Sequence, residues 1–148
     1  MRFVLIYFLL FIAHSISCSE NFIFDFRGYI QQDIMKLGSV GNLINFKSKG
    51  TWVDSQGNYG RGKCQGSILI ENNNQTIDDV IYFCEFEDQD QTKFWTRGNR
   101  TGSEKKAGIG SNTYVDAEGK YIKYIGVECI YAISYIKDSF HAKNKCNI

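Results

Sequence analysis

The sequence predicts an all-β protein, an antiparallel eight-stranded up-and-down barrel held by two disulfides, with a β-sandwich of the same strands as the alternative. Three observations carry this. Eight short runs are rich in β-branched and aromatic residues, clusters of Gly, Asn and Asp separate them, and an even number of cysteines remains once an N-terminal leader is set aside. No window of useful length repeats its apolar residues every 3.6 positions, so little helix is expected.

The leader comes first in the chain. Arg2 precedes an unbroken apolar run from Val4 to Ala13, and the small residues of "SISCSE" follow. A basic start, a short apolar core and a small-residue cleavage site are the order of a secretory signal peptide. The run is shorter than the ~20 apolar residues a membrane-spanning helix needs. Small residues are suitably spaced for a cut after Ser17 or after Ser19. We take residues 1–19 as the leader and 20–148 as a single β-barrel domain, secreted or periplasmic. The rival is a lipoprotein anchored through Cys18, although Ser15 stands where an apolar residue is normally expected. About 129 residues then remain, enough for one modest core.

The strands are expected at Tyr29–Leu37, Leu43–Val53, Gly60–Ile70, Val80–Phe86, Lys93–Arg100, Gly108–Val115, Ile125–Ile136 and Phe140–Cys146. Between them, "GSVGN", "DSQGN", "ENNNQT", "EDQDQT" and "GNRTGSEKK" have the composition of hairpin turns, since Gly, Asn and Asp accept positive φ. Short strands joined by short turns form a meander, and eight of them close into a barrel without exposed edges.

With Cys18 removed, Cys64, Cys84, Cys129 and Cys146 remain, and three pairings are open. We choose Cys64–Cys84 and Cys129–Cys146, because each pair lies on consecutive strands and closes a short loop. A zinc site is not expected: no CxxC is present, and His141 is the one histidine outside the leader. Nor is calcium. Asp88 and Asp90 have the spacing of the first ligands of a calcium loop, but the glycine and closing glutamate are missing, so a solvated turn is expected.

Gly119 and Gly126 flank the aromatic run "KYIKYI", which suits a sharp corner in the backbone. The stretch "AEGKYIKYIG" resembles the G-x-G-x-[YF]-x-x-[LI]-x-G pattern of small secreted allene-oxide-cyclase-like, broadly calycin-like barrels, with Ala117 in place of the first glycine. The resemblance covers about ten residues and implies a fold far more than a function. "GTW", Gly50 to Trp52, looks like the G-x-W of lipocalins. That motif belongs at the start of a lipocalin's first strand and too little chain follows here, so Trp52 is read as a core residue of an early strand.

A net charge of +1 gives no reason to expect nucleic acid or an anionic membrane as partner, and a monomer is expected. The sequence carries no G-x-S-x-G elbow, no P-loop and no dinucleotide fingerprint, and no cofactor is expected. The candidate catalytic groups are Glu85 and Glu128. Each adjoins a cysteine, so strand alternation sends it to the face opposite that cysteine. Inside an apolar barrel such a carboxyl would have a raised pKa and could serve an isomerase- or cyclase-like reaction. The simpler alternative turns both glutamates to solvent and leaves Tyr82, Phe86, Tyr131 and Ile133 as core.

The expected function is binding of a small apolar or aromatic molecule, with Trp52, Tyr82, Phe86 and Tyr131 as its lining. A third possibility is a surface-mediated interaction through exposed aromatics such as Tyr59 and Phe94. Two N-glycosylation sequons, Asn74-Gln75-Thr76 and Asn99-Arg100-Thr101, fall in expected turns. The absence of proline with much Ile, Asn and Lys points to an AT-rich genome, and a bacterial periplasmic or released protein, in which sequons carry no glycan, is expected.

Overall fold

In a computed structural model the described residues are 21–71, 76–77, 79–101, 103–104 and 106–148. The expected leader, Cys18 and Asn74 lie outside them. The strands are β1 (Asn21–Lys36), β2 (Gly41–Asp54), β3 (Tyr59–Glu71), β4 (Thr76–Ile77), β5 (Asp79–Asp88), β6 (Lys93–Arg100), β7 (Ser103–Glu104), β8 (Ala107–Ala117), β9 (Glu128–Ile136) and β10 (Ser139–Asn147). One 3-10 helix, η1 (Gly119–Tyr124), precedes β9. β4 and β7 pair only with each other, and the remaining eight strands form a closed antiparallel barrel in chain order.

All eight expected barrel strands are present, and β6 has the bounds read from the sequence. The main difference lies at the start. β1 begins at Asn21 rather than Tyr29, and its first half closes the barrel by pairing with β10 from Asn21↔Asn147 to Tyr29↔Ser139. The stretch "NFIFDFRG" alternates, with Phe22, Phe24 and Phe26 buried, so the period of two was present in the sequence. At β9 the chain from Ile125 to Val127 belongs to the exit from η1.

Alternation puts one set of side chains inside. Phe24, Trp52, Phe86 and Phe94 pack as a cluster in the lower half, with Phe24 edge-on to Phe86 at 4.9 Å and Phe94 stacked on Phe86 at 4.9 Å between ring centroids. Such pairs contribute beyond the area they bury. Phe94, expected at the surface as an anchor, is therefore a correction: it is 1% exposed, because Phe94, Thr96, Gly98 and Arg100 form the inward row of β6.

The helix η1 closes this end of the barrel. Gly119 (φ +51°) and Gly126 (φ +85°) take left-handed conformations on either side of it, which lets the chain drop into the barrel and leave again. Tyr121 and Tyr124 are buried there against Phe94, Tyr114 and Phe22. Asp88, expected in a solvated turn, is buried because η1 covers it. Its carboxylate accepts from the backbone N–H of Asp90 (2.8 Å) and Thr92 (2.9 Å), so the turn itself is as expected, and also from Tyr121 Oη (3.0 Å). Among the described residues no cluster of potential metal ligands forms.

Both disulfides join residues directly opposite in register on neighbouring strands, Cys64 with Cys84 and Cys129 with Cys146, and all four cysteines face inward. No helix among the described residues is long and apolar enough to cross a membrane.

Candidate functional site

Among the described residues, the end of the barrel opposite η1 holds an open cleft. β1 runs on past Tyr29, whose partner Ser139 is the last on β10, and pairs with β2 as far as Lys36↔Asn42, while β2 pairs with β3 as far as Gly41↔Glu71. The three strands thus rise as a wall on one side of the mouth, and their inward row places Ile30, Ile34, Ile44, Ile68 and Ile70 along a cleft of about 1060 Å³. Across it stand Tyr135, Arg100, Lys106 and the β9–β10 turn with Lys137.

Beneath the mouth lies a much smaller space, about 50 Å³, bordered by Tyr82, Phe86, Arg100, Asn112, Tyr131 and Asn144. That is room for about three waters and far less than the ~300 Å³ or more of a typical small-molecule pocket. The body of any ligand therefore belongs in the mouth.

Local sequence explains the shape of this lower space. Gly98 lies opposite Tyr82 in the β5–β6 ladder, and a methyl group on it would overlap Cζ and Oη of the tyrosine ring. Gly110, opposite Tyr131, leaves room for that ring in the same way. The two tyrosines meet edge-on at 5.9 Å between centroids. Burial, then the neighbouring Tyr131, pushes the Tyr82 hydroxyl well above its ordinary range; burial also raises Tyr131 and Tyr135, against the pull of the Arg100 charge.

Arg100 is the least expected member. It is 3% exposed, it borders both the small space and the mouth, and its Nε and Nη1 are buried with no hydrogen-bond partner. Asn112 Oδ1 is likewise unpartnered, while Asn112 Nδ2 donates to Asn144 Oδ1 at 3.3 Å.

The residues singled out from the sequence divide between the two ends. Tyr82, Phe86 and Tyr131 border the small space; Trp52 lies lower, in the aromatic cluster, with Nε1 donating to the Arg61 carbonyl at 3.2 Å. Glu85 is on the outer face between Lys63 (3.1 Å) and Lys93 (3.5 Å) and accepts from Trp95 Nε1. The Lys63 hydrogen bond, first among several contacts, holds its carboxyl below the ordinary glutamate range. Glu128 is exposed at the start of β9. His141 is also on the outside, 2.7 Å from Asp25. Asn99 sits in β6 rather than a turn, facing out and accepting from Ser111 Oγ at 2.6 Å.

Arg100 was missed because, although it ends the expected strand Lys93–Arg100, the sequon reading also assigned it to the turn that follows. The signal was available in "KFWTRGNR", where every second residue from Phe94 onward is buried. No protein-family model matches the chain, and no curated protein matches it.

Proposed function

We propose that the chain is an exported barrel that binds a small, largely apolar molecule at its open end. The observation that carries this is the asymmetry of the two ends. One is filled by η1 and the aromatic cluster, while the other holds a cleft of about 1060 Å³ with a wall of isoleucines that no segment among the described residues covers. Ile34 is 57% exposed on that wall. A concave surface with an apolar wall, here faced by polar and charged groups such as Arg100, Lys106 and Asp138, is a form small-molecule sites take. The two disulfides support export, since such bonds persist in oxidising compartments.

The cyclase- or isomerase-like alternative has less support. It calls for a carboxyl in a reachable cavity, and Glu85 and Glu128 stand on the outer face. The stretch "AEGKYIKYIG", whose resemblance raised that alternative, forms the plug at the closed end.

The test is titration of the disulfide-intact protein with a neutral fluorescent naphthylamine. Binding is expected, weakened about tenfold by Ile34→Asp, which places a charge on the wall at an exposed position, and unchanged by Glu85→Gln. Absence of binding, or loss with Glu85→Gln but not Ile34→Asp, overturns the proposal.

A further inference from the structure

We propose that the ligand is an amphipathic monocarboxylate, its carboxylate held by Arg100 and its apolar body lying along the isoleucine wall, an inference that rests on the binding function proposed above. Arg100 carries a permanent positive charge at a position 3% exposed, and two of its nitrogens have no partner. Buried charges are normally paired, because an isolated one in an apolar interior is strongly disfavoured. Among the described residues no ion pair reaches Arg100. The inward-facing carboxylates Asp54 and Asp88 are at the closed end and are engaged there, Asp54 by Gln56 and Asn58, Asp88 by Lys120 and Tyr121.

No side chain among the described residues supplies the counter-charge, so a bound anion can supply it, and several features specify that anion. A single buried guanidinium balances one negative charge, whereas a phosphate dianion would need a second buried cation. The guanidinium fork matches the two oxygens of a carboxylate. The space beneath Arg100, about 50 Å³, accommodates a head group and little more, while Ile30, Ile44, Ile68 and Ile70 begin beside Arg100 and continue outward along the same cleft. The hydroxyl-bearing rings of Tyr82, Tyr131 and Tyr135 stay neutral around the site and oppose no anion. At the rim, exposed Lys106 and Lys137 outnumber the one acidic lining residue, Asp138, and this balance favours the approach of a negative group.

The experiment is calorimetric titration of the full, disulfide-intact chain with decanoate, decanol and acetate. Decanoate is expected to bind about tenfold or more tightly than decanol, the range of a charge-assisted hydrogen bond, with acetate far weaker than both. In Arg100→Gln the decanoate preference should vanish while decanol binding persists. Equal affinities for acid and alcohol in the unsubstituted chain, or a preference that survives Arg100→Gln, overturn the inference but leave the apolar site standing. Acetate binding as well as decanoate also overturns it, in favour of a site for small anions without an apolar body. If neither decanoate nor decanol binds, the proposed function fails with it. The acid-to-alcohol ratio is measured on the unsubstituted chain and so does not depend on the variant folding.

Discussion

Tyr121 Oη donates to Asp88 Oδ2 at 3.0 Å, linking the helix that closes the barrel to the β5–β6 turn. Lys120 Nζ approaches the same oxygen at 2.7 Å, so a carboxylate with a fully buried side chain anchors both the turn and the plug. Tyr121→Phe removes one donor and leaves the others. It should cost about 1–2 kcal/mol of stability in urea unfolding, and a change no larger than that of an exposed substitution would show that the link is unimportant.

Asp88 also predicts acid sensitivity. Burial alone would raise its pKa, but Lys120, the Thr92 and Asp90 backbone N–H groups and Tyr121 together hold it below the ordinary aspartate range. The folded-state value is thus lower than the unfolded one. Between the two the unfolded chain binds more protons, so the stabilisation is present above about pH 4 and is lost as pH falls through the folded value. Stability measured below pH 4 should fall more steeply for the unsubstituted chain than for Asp88→Asn, and parallel curves would contradict this.

At alkaline pH the tyrosines act in the opposite direction. Burial raises Tyr82, Tyr114, Tyr121, Tyr131 and Tyr135 above their ordinary value. A phenol whose folded pKa is raised contributes stability that is complete below about pH 10 and is lost as pH rises further. Phenolate absorbance of this buried set should therefore appear only as the barrel unfolds. A single reversible phase near pH 10 would refute the buried assignment.

The disulfides close loops of similar length, with sequence separations of 20 and 17 residues. Replacing either pair with alanines should cost about 3 kcal/mol, by the loop-closure entropy returned to the unfolded chain. Comparable shifts in the urea midpoint are expected for the two double variants. A loss confined to one pair would mean that packing of the sulfurs, rather than loop closure, dominates.

Gly98→Ala should lower stability by about 1–3 kcal/mol, because the added methyl overlaps the Tyr82 ring and overpacking forces side chains off their rotamers. Combining it with Tyr82→Leu should recover much of the loss, and a double-mutant cycle measures the coupling. Strict additivity would show that the two residues do not compete for space.

Much of this architecture was legible in the chain as written. The β6 run "KFWTRGNR" and the turns around it announce strands because alternation and positive-φ residues are local properties, decided within a few residues. The pairing of Cys64 with Cys84 and of Cys129 with Cys146 was readable for a related reason: in a meander, consecutive strands are spatial neighbours, so short separations in sequence become short distances in space. The half of β1 from Asn21 to Gly28 alternates as clearly, yet its partner is β10 at the far end of the chain, and only closure of the barrel brings the two together.

The candidate site divides along the same line. Local sequence determined that Tyr82 and Tyr131 share a face with the cysteines and that Glu85 and Glu128 take the other. Alternation cannot say which face turns inward, or at what height each residue lies along the barrel. Tertiary structure decided that Phe94 packs in the closed half and that Trp52 lies too low to border the small space. It also buried Asp88 under a helix from another part of the chain and buried Arg100 Nε and Nη1 beside the cleft with no hydrogen-bond partner among the described residues. These outcomes depend on which groups distant strands bring within a few ångströms, and the free energy of a buried charge or ring is decided by those neighbours rather than by the residues beside it in sequence.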